Sequence, residues 1–427
     1  NTSVSMTING NYWWHLAAFF TVAIRQQIRI FESKKGRAPN EKETAEIRAQ
    51  TLSTVRGTVQ ADQLKESMGQ NTLVLNLDTA LKLMGDVAEF YVDNEVRNHY
   101  FVSISGYHIA EAGANPITQA ALTLSNGLTY VELFRARGLD PNKFLRNFSW
   151  FFSNGMDPEY SVIGRVCRRI WAISMREMYG VDERGQKLKY HIQSSGRSLH
   201  AQEYTWNDYR TTMQALYALA DNANSLHTNS RDEAFGTPTE ETVRDAVAIQ
   251  LILSREYGWL QNENPLQGSF IAEWLTDHVE EEILKVFEEM HRRGGVLGSL
   301  EVNYQRNRIQ DESMLYEHKK HDGSLPIIGV NTFTDPDAEA LTADNADAFD
   351  MDVTRSDEEE KKMVIERNRD FQEKHSEAAE DGLRKLKDAA RNGENLFSVM
   401  MEIVEHCTVG QVTNALFETG GKFRRNM

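Results

Sequence analysis

Residues 100–111, YFVSISGYHIAE, decide the fold. Val102 and Ile104 fall on one side of an extended chain and Ser103 and Ser105 on the other, the period of two that marks a strand. Gly106 then interrupts the pattern, and His108 and Glu111 follow at helical spacing. A strand with an apolar and a hydroxyl face, ending in a flexible joint that opens a helix, is half of a βα unit.

The same rhythm recurs outward from this stretch. Strand-like pieces lie in SVSMTIN around Val4, GTVQAD around Val59, NFSWFFSNG around Phe151, YHIQSSG around Ile192 and NSLHTN around Leu226. Between them run helix-period segments at 73–95, 114–137, 159–178, 207–223 and 238–256, and such alternation implies a parallel sheet covered by helices. The fold class expected is α/β, a (β/α)8 TIM barrel of which about six of the eight strands are present, with a C-terminal helical extension. An open doubly wound sheet would bury both strand faces and read as continuous apolar runs, which these segments do not. The opening residues, NTSVSMTING, resemble a strand met mid-domain, so further barrel strands are expected upstream.

Barrel lumens are ordinarily filled by bulky branched side chains. Here Ser3, Ser5, Thr7, Ser103 and Ser105 occupy one face of their strands, and polar groups of this kind need a partner. A ligand threaded along the barrel axis is the expectation.

The division expected is a barrel at 1–334 holding strands three to eight, an acidic linker at 335–356 rich in Asp, Glu, Ala and Thr, and a helical region at 357–427. Leu396, Phe397, Met400, Met401, Ile403 and Val404 form an apolar stripe there that can pack on the barrel or on a second copy.

With 47 basic against 63 acidic residues in 427, the net charge of −16 repels a phosphate backbone and argues against nucleic acid. The cluster Arg165, Arg168 and Arg169 is expected to pair with carboxylates. No run is apolar enough to span a bilayer and no basic-then-apolar leader opens the chain, so no membrane partner and a cytoplasmic location are expected. Cys167 and Cys407, far apart and without metal-ligand spacing, are read as buried thiols. GxxxxGK[ST], GxGxxG after a strand, GxSxG and HExxH do not occur, so no nucleotide loop, nucleophile elbow or protein-held metal is expected.

What remains are polar residues at strand ends, where barrel enzymes place their sites. His108 is the foremost, with Glu111 one turn on. Gln60 and Gln70 bracket the helix after the second strand; amides suit hydrogen bonds to carbonyls but not acid–base work. NSLHTNSRDEA offers Asn224, His227, Asn229, Asp232 and Glu233, of which Asn229 and Asp232 are read as caps. Trp13 and Trp14 are read as core.

Together SVSMTING, GTVQADQLKE, SISGYHIAEAGANPIT, FFSNGMDPEY, HIQSSGRSLHAQE, SLHTN with DEA, NENPLQGSF and GGVLGSLE resemble the adenosylcobalamin-dependent acyl-CoA mutase family. GANPITQ, NGMDPEYSVIGR, IIGVNTF and FRRNM resemble its fused isobutyryl-CoA mutase branch. The resemblance implies a radical carbon-skeleton isomerase for isobutyryl-CoA and n-butyryl-CoA, with the CoA tail inside a hydrophilic barrel and cobalamin across its mouth. It implies His108 at the thioester carbonyl, Gln60, Thr58 and Gln70 at the acyl group, Ser5, Thr7 and Lys189 along the CoA, and Glu111 and Asn224 toward the cofactor. Methylmalonyl-CoA mutases carry an arginine where this chain has Gln70, so the resemblance implies a substrate without a free carboxylate. Pivalyl-, isovaleryl-, hydroxyisobutyryl- or methylmalonyl-CoA, and a noncatalytic acyl-CoA-binding scaffold, are the alternatives. The DxHxxG cobalamin signature and the GTPase module of fused enzymes are not in this chain, so both are expected upstream or on a partner chain, in a homodimer.

Overall fold

The computed structural model describes residues 3–8, 10–70, 72–258, 261–262, 264–336 and 356–424. Among the described residues run seven strands: β1 (Val4–Met6), β2 (Gly57–Val59), β3 (His99–Tyr100), β4 (Val102–Ser105), β5 (Phe148–Asn154), β6 (Tyr190–Ser194) and β7 (Ser225–His227). β1–β2–β3 form one parallel sheet and β4–β5–β6–β7 another. β3 and β4 are one path interrupted at Phe101, and Ser103 N–H donates to Ala61 O (3.3 Å) to carry the pairing onward beside β2. The result is six parallel strand paths joined by helices, the α/β barrel architecture with β1 and β7 at its two edges.

Register assigns the two faces. Ile104, Trp150 and Tyr190 stand in one lateral row, and Phe152, Ile192 and Leu226 in the next. These rows meet the helices: Trp150 lies 4.8 Å from the Trp171 ring of the helix Ile163–Tyr179, and Gly127 in the helix Pro116–Ala136 is so close that a Cβ there would sit 2.3 Å from Trp150 Cη2. That helix starts where it does because the Asn115 side chain accepts from Thr118 N–H and Pro116 fills the first turn.

The opposite face is the polar one. Its rows read Ser5–Thr58–Tyr100, Ser103–Ser149, Ser105–Phe151–His191–Ser225 and Ser153–Gln193–His227. No aliphatic side chain stands in them, so the inner wall offers hydroxyls, imidazoles, an amide and two aromatic rings.

The helical region from residue 357 packs onto the barrel. Phe397 meets the Phe90 ring edge-on at 4.9 Å, Leu396 N–H donates to Asp86 Oδ2 (2.9 Å), and the apolar stripe at 396–404 is spent against the helices Tyr12–Lys35 and Leu77–Asp93. Trp13 and Trp14 are core residues, and both cysteines are buried. Arg165 and Arg169 pair with Glu273, Asp277 and Glu280 of the helix Phe270–His291, while Arg168 lies over the Tyr190 ring. Most of the expected acidic linker lies outside the described residues.

Candidate functional site

The carboxyl ends of β2, β4, β5, β6 and β7 converge on one polar cleft. At its centre the short helix Tyr107–Glu111 springs from β4 through Gly106, which is pressed so hard against the helix Pro116–Ala136 that a Cβ would sit 2.4 Å from Thr123 Oγ1. His108 is therefore held close to the strand end. Its Nδ1 lies 2.6 Å from Ser105 Oγ, and its ring stands edge-on to Phe151 (5.8 Å, 86°) while Tyr107 stacks on the same phenyl (4.8 Å, 6°). Burial, reinforced by the Lys65 charge, lowers the His108 pKa to about 3. The imidazole is neutral at physiological pH, and a Ser105 hydroxyl donating into Nδ1 leaves the ring proton on Nε2.

Beneath His108 lies a buried charged cluster. Asp62 accepts from Tyr130 Oη (2.6 Å), Ser105 N–H (2.9 Å) and Lys65 N–H (3.1 Å). Lys65 Nζ is 2.6 Å from Glu66 Oε1, both side chains having no accessible surface. Burial raises the Glu66 and Asp62 pKa values and lowers that of Lys65, and ion pairing opposes each shift. The π-helical turn Glu66–Gln70 follows at once, a geometry that often marks functional positions, and Lys65 Nζ donates to Gln70 Oε1 (3.2 Å). Gln60, just past β2, has a buried Oε1 with no hydrogen-bond partner among the described residues.

On the other side of His108, Glu111 accepts from Ser153 Oγ (3.0 Å) and Arg197 N–H (2.9 Å), and burial raises its pKa. Gln193 Nε2 donates to Tyr107 Oη (3.0 Å) and Asn229 Oδ1 (3.1 Å), and Asn229 Nδ2 donates to Ser194 O (2.8 Å). Among the described residues no three His, Cys, Asp or Glu side chains converge as a metal site.

His108 and Glu111 thus share the short helix after β4, the exposed Gln70 ends the turn that backs onto that segment, Gln60 follows β2, and Thr58 and Ser5 are paired side by side down the inner wall. Thr7, past β1, is exposed near that strand's carboxyl end. Two candidates stand elsewhere. Asn224 precedes β7, at the amino end of the strands, where its Oδ1 accepts from Tyr190 N–H (2.9 Å) and Arg168 Nη2 (3.2 Å); it does not reach the cleft. Lys189 likewise precedes β6, and its partial burial, followed by the charges of Arg184 and Lys187, lowers its pKa. Asn229, read from sequence as a helix cap, caps no helix among the described residues and bonds Gln193 and Ser194 instead; Asp232 does serve the helix start, accepting from Thr239 N–H (3.1 Å) and Thr242 Oγ1 (2.7 Å).

Parallel strands with a polar inner wall, ending in a cleft of neutral imidazole, amides and buried carboxylate, define an α/β-barrel scaffold with a hydrophilic interior. The methylmalonyl-CoA mutase family model matches residues 42–422, and the chain belongs to that family. It is 57% identical over 426 residues to the fused isobutyryl-CoA mutase of Nocardia farcinica, a match covering 100% of this chain and 39% of that protein. It is 31% identical over 427 residues to the 2-hydroxyisobutanoyl-CoA mutase large subunit of Aquincola tertiaricarbonis (99% of this chain, 70% of that one). Against human mitochondrial methylmalonyl-CoA mutase the identity is 32% over 428 residues, 99% of this chain and 53% of that protein. The chain spans between 33% and 39% of the length of the fused relatives it matches.

Proposed function

We propose that this chain supplies the substrate-binding barrel of a cytoplasmic, adenosylcobalamin-dependent isobutyryl-CoA mutase, interconverting isobutyryl-CoA and n-butyryl-CoA. The observation that carries the reading is Gln70: a neutral amide, its Oε1 3.2 Å from Lys65 Nζ, is exposed on the turn that backs onto the His108 segment. A substrate carboxylate beside it would meet an amide in place of a guanidinium, and the nearby Lys65 ammonium is already paired with Glu66. A branched acyl group without a second carboxylate fits that balance. The 57% identity to a fused isobutyryl-CoA mutase supports the same substrate.

In this reading the CoA arm lies along the hydroxyl rows, with Ser5 and Thr58 among its neighbours. His108 Nε2–H donates to the thioester carbonyl, where a donor stabilises charge and spin building on that oxygen. Gln60 and Gln70 hold the acyl group in register, and Phe151 and Tyr107 wall the cleft against water.

Bound adenosylcobalamin would supply the radical chemistry at this mouth of the barrel. The rim suits a nucleoside: Gly196 leaves a notch in which a Cβ would lie 3.3 Å from Glu111 Oε2 and 3.8 Å from Asn229 Nδ2. Glu111 and Asn229, rather than Asn224, would meet its polar groups. A cobalamin domain and a GTPase module on the same polypeptide or a partner, and a homodimer, complete the assembly proposed. The test is to give the complete, cofactor-loaded assembly isobutyryl-CoA. Appearance of n-butyryl-CoA supports the reading, and turnover of methylmalonyl-CoA alone refutes it.

A further inference from the structure

Lys65 and Gln70 are five residues apart. On a regular α-helix of 3.6 residues per turn they would project about 140° away from each other. The turn Glu66–Gln70 is instead closed by i→i+5 bonding, and this brings Gln70 Oε1 to 3.2 Å from Lys65 Nζ. The turn backs directly onto the His108 segment: a Cβ on Gly69 would lie 3.6 Å from His108 O. Lys65 is itself fixed, its ammonium 2.6 Å from Glu66 Oε1 in a pocket with no accessible surface, its backbone N–H on Asp62.

A glutamine amide has nearly the same shape when turned by 180°, so packing alone does not choose which end is oxygen. An ammonium has three donors and no acceptor. Only the amide oxygen can face it, and the amide N–H groups are thereby turned to the far side. The cost of burying Lys65 and Glu66 is otherwise unexplained, since an apolar pair of similar volume would be as stable or more so.

We propose that Lys65 is a positioning residue for the acyl pocket: held by Glu66, it sets the rotation of the Gln70 amide through a π-turn that presses on the His108 segment. The inference rests on the reading of Gln70 and His108 as the groups that face the acyl thioester. The same buried cation disfavours a second positive charge on His108, in keeping with that ring's lowered pKa.

The test uses the complete cobalamin-loaded mutase. Lys65→Met/Glu66→Gln removes the cation together with its ion-pair partner, while Asp62 keeps its hydrogen bonds from Tyr130 Oη and Ser105 N–H, and Lys65→Gln/Glu66→Gln serves if the first does not fold. The expected result is a fall in kcat for isobutyryl-CoA of about tenfold, the scale of a misaligned acyl group, with KM and the calorimetric Kd of n-butyryl-CoA for cobalamin-free protein within about threefold. A purely structural pair would lower thermal stability and leave kcat per folded site at the wild-type value, which overturns the proposal. Gln70→Ala separates the two readings. If it keeps the wild-type kcat, the pocket reading falls and this inference with it; if it is impaired while the double variant is not, the inference alone falls.

Discussion

Ser105 Oγ stands 2.6 Å from His108 Nδ1, across the single glycine that separates strand from helix. The contact fixes the ring twice over, since Ser105 is itself pinned by its N–H on Asp62 Oδ2. Ser105→Ala removes the hydroxyl but not the backbone anchor. The ring then loses the bond that selects its tautomer, and kcat for isobutyryl-CoA is expected to fall about tenfold with the fold intact. Steady-state kinetics and circular dichroism check this; a wild-type kcat would show that the hydroxyl does not orient the imidazole.

The lowered His108 pKa carries a pH dependence whose sign can be fixed. The folded protein takes up that proton only near pH 3, the unfolded chain near its ordinary 6.5. Unfolding therefore binds a proton between these values, and the contribution to stability is complete above about pH 6.5 and lost as pH falls toward 3. His108→Asn abolishes it. Urea denaturation at pH 7 and pH 5 should show wild type losing more stability on acidification than the variant. Equal losses would mean the ring is not held neutral.

Gln70→Arg tests acyl selectivity. The guanidinium would sit beside Lys65, with Glu66 the nearest carboxylate to share. Turnover of isobutyryl-CoA is expected to fall more than tenfold, because the longer guanidinium would replace the amide at the acyl group and stand beside a like charge on Lys65. A carboxylated acyl-CoA would neutralise that charge, so methylmalonyl-CoA should bind measurably tighter to the variant than to wild type in a calorimetric titration. Unchanged affinity would show that residue 70 does not face the acyl group.

Gly127→Ala sets helix propensity against packing. Alanine favours the helix Pro116–Ala136 by about 1 kcal/mol. Its Cβ would meet Trp150 Cη2 at 2.3 Å and Ile104 Cδ1 at 3.2 Å, an overpacking cost of about 1–3 kcal/mol in a core with little room to shift. Net destabilisation is expected in urea unfolding, and a stabilised variant would mean that the sheet yields easily at Trp150.

Legibility in the sequence followed locality. The alternation at 102–105 is a property of neighbouring residues, so the strands, the polar inner wall and His108 at a strand end could be read directly. The cluster Asp62, Lys65 and Glu66 could not. Charged residues are exposed by default, and only the tertiary fold, through Tyr130 and Ser105, makes this trio buried. Asn224 and Asn229 sit five residues apart on opposite ends of a three-residue strand, so a small uncertainty in strand bounds exchanged the amino end for the cleft. The helix Glu41–Thr54 has only Thr51 and Leu52 buried and rests instead on the Asn40–Glu43 capping box. Apolar periodicity therefore had little there to detect.

Asp86 is where the C-terminal helical region is fastened to the barrel. Its carboxylate has no accessible surface and accepts from Arg137 Nη2 (2.6 Å), Lys82 Nζ (2.8 Å) and Leu396 N–H (2.9 Å). Asn395 adds a bond to Asp86 O (2.9 Å), and the Asn76 side chain reaches Gly420 O at the far end. Asp86→Ala leaves the Leu396 N–H and part of the Arg137 guanidinium without their acceptor, at a cost of about 3–5 kcal/mol for breaking one side of a buried pair. That energy is concentrated on the contact with the segment Leu396–Ile403. Limited proteolysis should therefore cut within 356–424 before the barrel in the variant, while the wild type resists. Cleavage at the same sites and rates in both would show that the apolar contacts around Phe397 hold the region without Asp86.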